Sequence, residues 1–291
     1  MTVATDQARR AARGSPGEGA AASHWVRPLV VGRPQRVRVV GVSRPACYLE
    51  ARDGTVVAVE AGGAGAALPN ALALDPHGPG VAGLVTGTEG HLGGGGLCIR
   101  GRAVTVRRWW DPRPRTGPVE PSQLRRRRAE LQPSSPADVG YGLSVPVDDL
   151  RAAARRTDAD AVASLVGDLI GRGAGSTPAG DDVLAGMLAT LRVLGGAQAG
   201  AIRVAEALGA AVRAAVHRTG ALSATLLRCA DDGAVAGAAR RVLEALPGDA
   251  ALAEPVAGLV RLGHTSGHDL LTGIGIAVDL LISEGSRRDP T

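Results

Sequence analysis

A chain of 291 residues with 45% apolar residues can build a large core or two modest ones, but with no Phe and 2% aromatics that core must be Leu, Val, Ala and Ile. All 33 basic residues are Arg, so a P-loop or Schiff-base mechanism, which needs a Lys, is excluded; the net charge of +5 is modest. Cys47, Cys98 and Cys229 are odd in number and far apart, which excludes a disulfide framework or a zinc finger and points to a cytoplasmic setting.

In chain order, residues 1–23 are rich in Ala, Gly and Ser, have no apolar segment of signal-peptide type, and read as a disordered tail. Residues 24–111 read as β. Apolar and polar residues alternate in Arg36–Val40, Thr55–Val59 and Ala103–Val106, Asp53-Gly54 suits a hairpin turn, and Gly93–Gly96 reads as a loop. Short strands at this spacing predict a small antiparallel sandwich or barrel. Residues 112–146 read as a Pro- and Arg-rich linker with room for a short helix over Ser122–Leu131. Its arginine runs fit a solvated linker better than a nucleic-acid patch, so no nucleic-acid partner is expected. No apolar run reaches membrane-spanning length, so no membrane partner is expected either. From residue 147 to 285 apolar residues recur at helical spacing between short Gly turns, which predicts an all-α bundle. The expected fold class is therefore α+β, a small antiparallel β domain followed by a helical bundle.

Two segments of the helical half match without a gap. Gly180, Asp182, Leu184 and Gly186 align with Gly267, Asp269, Leu271 and Gly273. Each segment is a small, hydroxyl-rich turn leading into an apolar helix with an aspartate at its mouth. Such turns gather backbone N–H groups at a helix N-terminus, where phosphates and carboxylates are held. Two of them suggest one anion site built from two sides, with both turns facing one cleft. In the first, Gly171, Gly173 and Gly175 allow close backbone approach, Ser176 adds a hydroxyl, and Thr177-Pro178 reads as an N-cap followed by Pro at the first helical position.

Asp181 and Asp182 beside an anion would repel it, which leaves three readings. A cation bridges them to the ligand, they turn away and order the loop, or one acts as a base. No cofactor is required by the pattern, and magnesium is the one that Asp181, Asp182 and Asp269 would suit. In the second turn Thr265, Ser266 and Gly267 precede Asp269. His264 and His268 stand four apart, but no third ligand lies near for zinc, and they read as turn-capping residues. A third segment, Arg218-Thr219-Gly220-Ala221-Leu222-Ser223, places Thr219 and Ser223 on one helical face, with Arg218 able to offer a forked donor. Its plain alternative is an N-cap at Thr219 with Ser223 bonded back along the helix.

The stretch Gly173-Ala174-Gly175-Ser176-Thr177-Pro178-Ala179-Gly180-Asp181-Asp182 resembles the Gly-x-Gly-Leu-Thr-Pro-Ser-Gly-Asp-Asp signature of a bacterial family that includes the AllH subunit of oxamate carbamoyltransferase. The Thr219/Ser223 segment and Gly263–Asp269 resemble its later blocks, in the same order. The resemblance implies a role in transfer of a carbamoyl group between carbamoyl phosphate and oxamate in purine and allantoin breakdown, with an anionic substrate and other subunits as partners. Ser176 stands where the family has Leu, and Ala179 where it has a Ser hydroxyl. Asp181, Asp182 and Asp269 are the candidate catalytic residues. Gly173, Gly175, Ser176, Thr177, Gly180, Arg218, Thr219, Ser223, Thr265, Ser266 and Gly267 are the candidate substrate-binding residues. A magnesium-dependent phosphoryl transferase and a non-catalytic scaffold subunit are the other two readings.

Overall fold

In the computed structural model, residues 18–43, 46–62, 67–78, 80–132, 143–196 and 198–288 are described. The expected tail lies outside them up to residue 17. The chain divides into two compact units, residues 1–112 and 113–291.

The first unit is a closed barrel of eight strands. These are β1 (Glu18–Ser23), β2 (Gln35–Val42), β3 (Ala46–Glu50), β4 (Val56–Ala61), β5 (Ala71–Leu74), β6 (Glu89–Gly93), β7 (Gly96–Ile99) and β8 (Arg102–Trp110). The order round the barrel is β1-β5-β4-β3-β2-β6-β7-β8. Closure removes every free edge. Of the two architectures expected, the barrel is the one formed. One expectation changes: the barrel is mixed and not antiparallel, because β1 pairs parallel with β8 and β4 parallel with β5. Alternation in a strand looks the same whichever way its neighbour runs, so parallel pairing leaves no mark in the pattern. Glu18–Ser23, placed by sequence in the tail, is a strand that closes the ring. Gly93–Gly96 is a tight hairpin joining β6 to β7, with left-handed Gly94 and Gly95 at its tip. Asp53-Gly54 does turn β3 into β4, and the Asp53 carboxylate accepts the Thr55 N–H at 2.9 Å.

Inward-facing Val37, Val39, Leu49, Val57, Leu72 and Leu92 fill the barrel. Val26 and Val30, from a 3₁₀ turn (His24–Val26) and helix α1 (Arg27–Val31), also bury in this core. An eight-stranded barrel is just narrow enough for side chains to fill, so aliphatic residues suffice here without Phe.

The second unit is helical. Its helices are α2 (Pro121–Arg127, extended by a 3₁₀ turn Arg128–Leu131), α3 (Ser144–Arg156), α4 (Ala159–Leu169), α5 (Ala179–Leu194), α6 (Ala199–Ala215), α7 (Ala221–Asp231), α8 (Gly237–Ala245), α9 (Ala253–Val260) and α10 (Ser266–Arg288). The short helix read within the linker packs into this unit's core through Leu124 and Leu131, so that stretch is part of the bundle. Residues 133–142 lie outside the described residues. No helix among the described residues is long and apolar enough to cross a membrane.

The two matched segments form the centre of the unit. Helices α5 and α10 make its most extensive interhelical contact, and their matched glycines explain why. A Cβ on Gly186 would lie 2.2 Å from the Leu270 carbonyl oxygen, and one on Gly273 would lie 2.0 Å from that of Val183. Leu270 and Val183 are themselves matched positions. Each helix therefore presses its backbone onto the other at the same point of the repeat, a pseudo-twofold crossing. At the helix starts, Gly180 and Gly267 press in the same way on the carbonyl oxygens of Leu169 and Leu259, at the ends of α4 and α9. Gly273→Ala is expected to force α5 and α10 apart and cost about 1–3 kcal/mol or more, as overpacking of a tight core does. Urea denaturation reads the loss, and a change below about 0.5 kcal/mol would show that the crossing yields freely.

Candidate functional site

The pseudo-twofold brings the two aspartate-bearing helix mouths together. The Thr177 and Ser266 hydroxyls are hydrogen-bonded at 2.9 Å, which ties the turn before α5 to the start of α10. This contact brings the two turns together. It also changes a role. The residue flanking α5 on its N-terminal side is Pro178, with no side-chain cap, and the Thr177 hydroxyl serves the joint between helices instead.

The adjacent aspartates of α5 do opposite things. Asp181, 1% exposed, has both oxygens occupied. Oδ1 accepts the Gly171 N–H at 2.7 Å; Oδ2 accepts the Ser223 hydroxyl at 2.7 Å and also the Thr219 hydroxyl. Three donors from two other segments converge on one carboxylate, so Asp181 fastens the glycine loop after α4 to the start of α7. Thr219 and Ser223 thus neither cap nor back-bond; they spend their hydroxyls on Asp181. Gly171 belongs to this knot although it was not among the candidate site residues. Its φ is 74°, and a Cβ there would meet the Arg218 carbonyl oxygen at 2.5 Å. The sequence signal was the glycine itself, at a helix end where a left-handed residue is needed.

Asp182, one residue on, is 6% exposed, and its Oδ2 has no hydrogen-bond partner. Burial pushes its pKa from 3.8 up to about 8; the Ser266 and Thr177 hydroxyls pull it down, while Asp269 and Asp181 push it up. Its counterpart Asp269, 4% exposed, repeats the pattern with an unpartnered Oδ2. Burial raises the Asp269 pKa, against the Thr265 hydroxyl and His268, which lower it. The Nδ1 of His268 is buried and unpartnered too. Sequence read His268 as a turn-capping residue or half of a zinc pair, whereas here it accompanies Asp269.

Six of the backbone donors at the two helix mouths are already used. The N–H of Gly180 donates to Arg172, those of Asp181 and Asp182 to Pro178, that of Gly267 to Leu262, and those of His268 and Asp269 to Thr265. What points inward between the helices is a set of acceptors. The N–H groups of Gly173 to Thr177 donate to nothing among the described residues. In that loop Ala174, Gly175 and Ser176 are exposed, and Gly173 and Gly175 have φ of 124° and 92°. Arg218 is exposed and turned aside, its Nη2 donating to the Gly167 carbonyl in the last turn of α4 at 2.9 Å. Among the described residues no group of three or more His, Cys, Asp or Glu is placed to hold a metal ion. With Asp181 fully engaged by three donors, the three-aspartate magnesium set reduces to Asp182 and Asp269. Cys229, buried in α7, is a core residue, its thiol pushed well above its usual range by burial.

Fold and site together define a chain with an eight-stranded barrel unit and a helical unit, the latter carrying a paired, buried, hydroxyl-flanked carboxylate site between two pseudo-equivalent helices. The family model described as oxamate carbamoyltransferase subunit AllH matches residues 169–278, from the end of α4 to the middle of α10. That match contains all three sequence blocks. Comparison with curated proteins and with solved structures finds no match to either.

Proposed function

We propose that the chain is a subunit of an oxamate-carbamoyltransferase-like enzyme and that its helical unit binds the acceptor substrate by both ends. The observation that carries this is the pair of buried, unpartnered carboxylate oxygens on Asp182 and Asp269. A buried acceptor without a donor is costly unless a ligand supplies one. Oxamate has both complementary parts: a primary amide, whose N–H groups suit Asp182 and Asp269, and a carboxylate, which suits the free N–H groups of Gly173–Thr177 and the Ser176 hydroxyl. The anion thus sits at the exposed loop and the amide at the buried pair.

Carbamoyl transfer needs the oxamate amide nitrogen to attack the carbamoyl carbon of carbamoyl phosphate. The new N–C bond forms, the C–O bond to phosphate breaks, and phosphate leaves with the electron pair. The amide proton passes to Asp182, whose pKa of about 8 suits a general base near neutrality. Asp269 and the Thr177/Ser266 hydroxyls hold the amide in line, a contribution of positioning. Other subunits would complete the carbamoyl phosphate site, and the reaction belongs in the cytoplasm with purine and allantoin breakdown. Neither nucleic acid nor membrane has a part in it.

Thermal unfolding with oxamate and with carbamoyl phosphate, alone and with partner subunits, tests the proposal. Oxamate is expected to raise the midpoint, and Asp182→Asn to abolish that rise while remaining folded. No shift at millimolar oxamate in either setting would overturn it. Magnesium is a second reading, because the same two oxygens would take a cation. Titration calorimetry with magnesium chloride alone separates the two. Asp181 and the glycine crossings would serve the third reading, a scaffold, in which Asp182→Asn leaves the activity of the assembled complex intact.

A further inference from the structure

The outer face of the barrel carries a cleft of about 700 Å³ lined by β1, β5 and β8. The strand period explains its floor. Ala20 and Ala22 face the barrel interior, so Gly19 and Ala21 face out. Ala21 pairs with Ala73 of β5 and Arg108 of β8. Both alanines are buried although on the outer face, at 8% and 4% exposure. Small residues there leave room where a barrel exterior normally carries long polar side chains.

The wall is set by a β-bulge. Ala20 pairs with Val106 and Ala21 with Arg108, which leaves Arg107 as the extra residue. A bulge re-aims side chains. Here the stem of Arg107 lies over Gly19, where a Cβ would be 3.5 Å from its Cδ, so two successive arginines line the same cleft. Trp110, two residues beyond Arg108 and on its face of the strand, is half-buried, packed on the small cluster of Ala58, Ala67 and Ala71. At the rim, Oδ1 of Asp75 accepts the His77 N–H at 2.9 Å, and the Asp75 carboxylate is an acidic group of the lining beside the two arginines. Neither Arg107 nor Arg108 has a carboxylate partner among the described residues.

We propose that this cleft binds a flat ring carrying a phosphate, the chemistry of a nucleoside monophosphate. The two guanidinium forks take the phosphate, and Trp110 stacks on the ring above the Ala21/Ala73 floor. The volume lies within the range of small-molecule sites. The site does not depend on the carbamoyl-transfer reading, and it would serve as a second ligand site on the same chain.

The test is calorimetric titration of the full chain with AMP, ribose 5-phosphate and adenosine. AMP is expected to bind at least tenfold more tightly than either fragment. Arg108→Ala is expected to weaken AMP and ribose 5-phosphate alike by tenfold or more, and Trp110→Leu to weaken AMP while sparing ribose 5-phosphate. Arg107→Ala, on the exposed bulge, provides a second charge variant should Arg108→Ala fold poorly. No AMP binding at millimolar concentration, or AMP binding no tighter than ribose 5-phosphate, would overturn the proposal, as would arginine variants that bind AMP like the parent.

Discussion

Replacing Asp182 by Asn is expected to stabilise the protein at alkaline pH while removing the carbamoyl transfer proposed for the assembled enzyme. The sign follows from linkage. In the unfolded chain Asp182 ionises near its ordinary 3.8; in the folded chain it holds its proton up to about 8. Between those values the folded state binds more protons than the unfolded one, so stability falls as pH rises from about 4 to about 8, and the loss is complete above that. One pKa unit is worth about 1.4 kcal/mol, so the penalty at pH 9 is of the order of several kcal/mol. Asn cannot ionise, so the variant escapes that penalty. Thermal melts should coincide within a few degrees at pH 5, with the variant melting clearly higher at pH 9. Activity in the assembled enzyme should fall by about 10²-fold or more, the usual contribution of a general base. A variant that is destabilised at pH 9, or one that keeps full activity, would remove Asp182 from the role assigned to it.

Replacing the neighbouring Asp181 by Ala is expected to do the reverse. Its carboxylate accepts the Gly171 N–H and the hydroxyls of Thr219 and Ser223, and Ser223 is 2% exposed. Removing the acceptor strands one buried donor, Ser223, and two part-buried ones, Gly171 and Thr219. Leaving a buried donor unsatisfied costs about 1–3 kcal/mol. Asp181→Asn keeps one acceptor oxygen and should lose about half as much. Urea denaturation at pH 7 measures both. A loss below about 1 kcal/mol for Asp181→Ala would mean that the knot does not hold the loop after α4 to α7. The two predictions together distinguish neighbouring residues of the same type by opposite signs.

That contrast marks the limit of what the sequence could carry. The matched glycines were legible because backbone contact between α5 and α10 tolerates no side chain, so Gly186 and Gly273 stand at equivalent places in both copies. The matched Asp182 and Asp269 were legible because they stand at the same offset from those glycines in both copies. The division of labour between Asp181 and Asp182 was not, because adjacent helical residues differ in direction by about a quarter-turn and only the packing partners decide what each meets. The helix-mouth N–H groups looked like an anion cradle, yet the turns consume those of Gly180–Asp182 and Gly267–Asp269 internally, and among the described residues the Gly173–Thr177 loop is one stretch whose N–H groups donate to nothing. In the barrel, Arg36–Val40 and Ala103–Val106 could be read because β-branched residues alternate with polar ones. Glu18–Ser23 and Ala71–Leu74 could not, because strands built largely of Ala carry little β preference. The parallel pairings that close the ring depend on chain path, which no local pattern records.

The most direct test of the account is the ¹³C NMR titration of aspartate-labelled protein. One carboxyl should titrate near pH 8, disappear in Asp182→Asn and shift when oxamate is added. An Asp182 resonance that titrates below pH 5 and is unmoved by oxamate would contradict the claim that a buried carboxyl at the mouth of α5 meets the substrate.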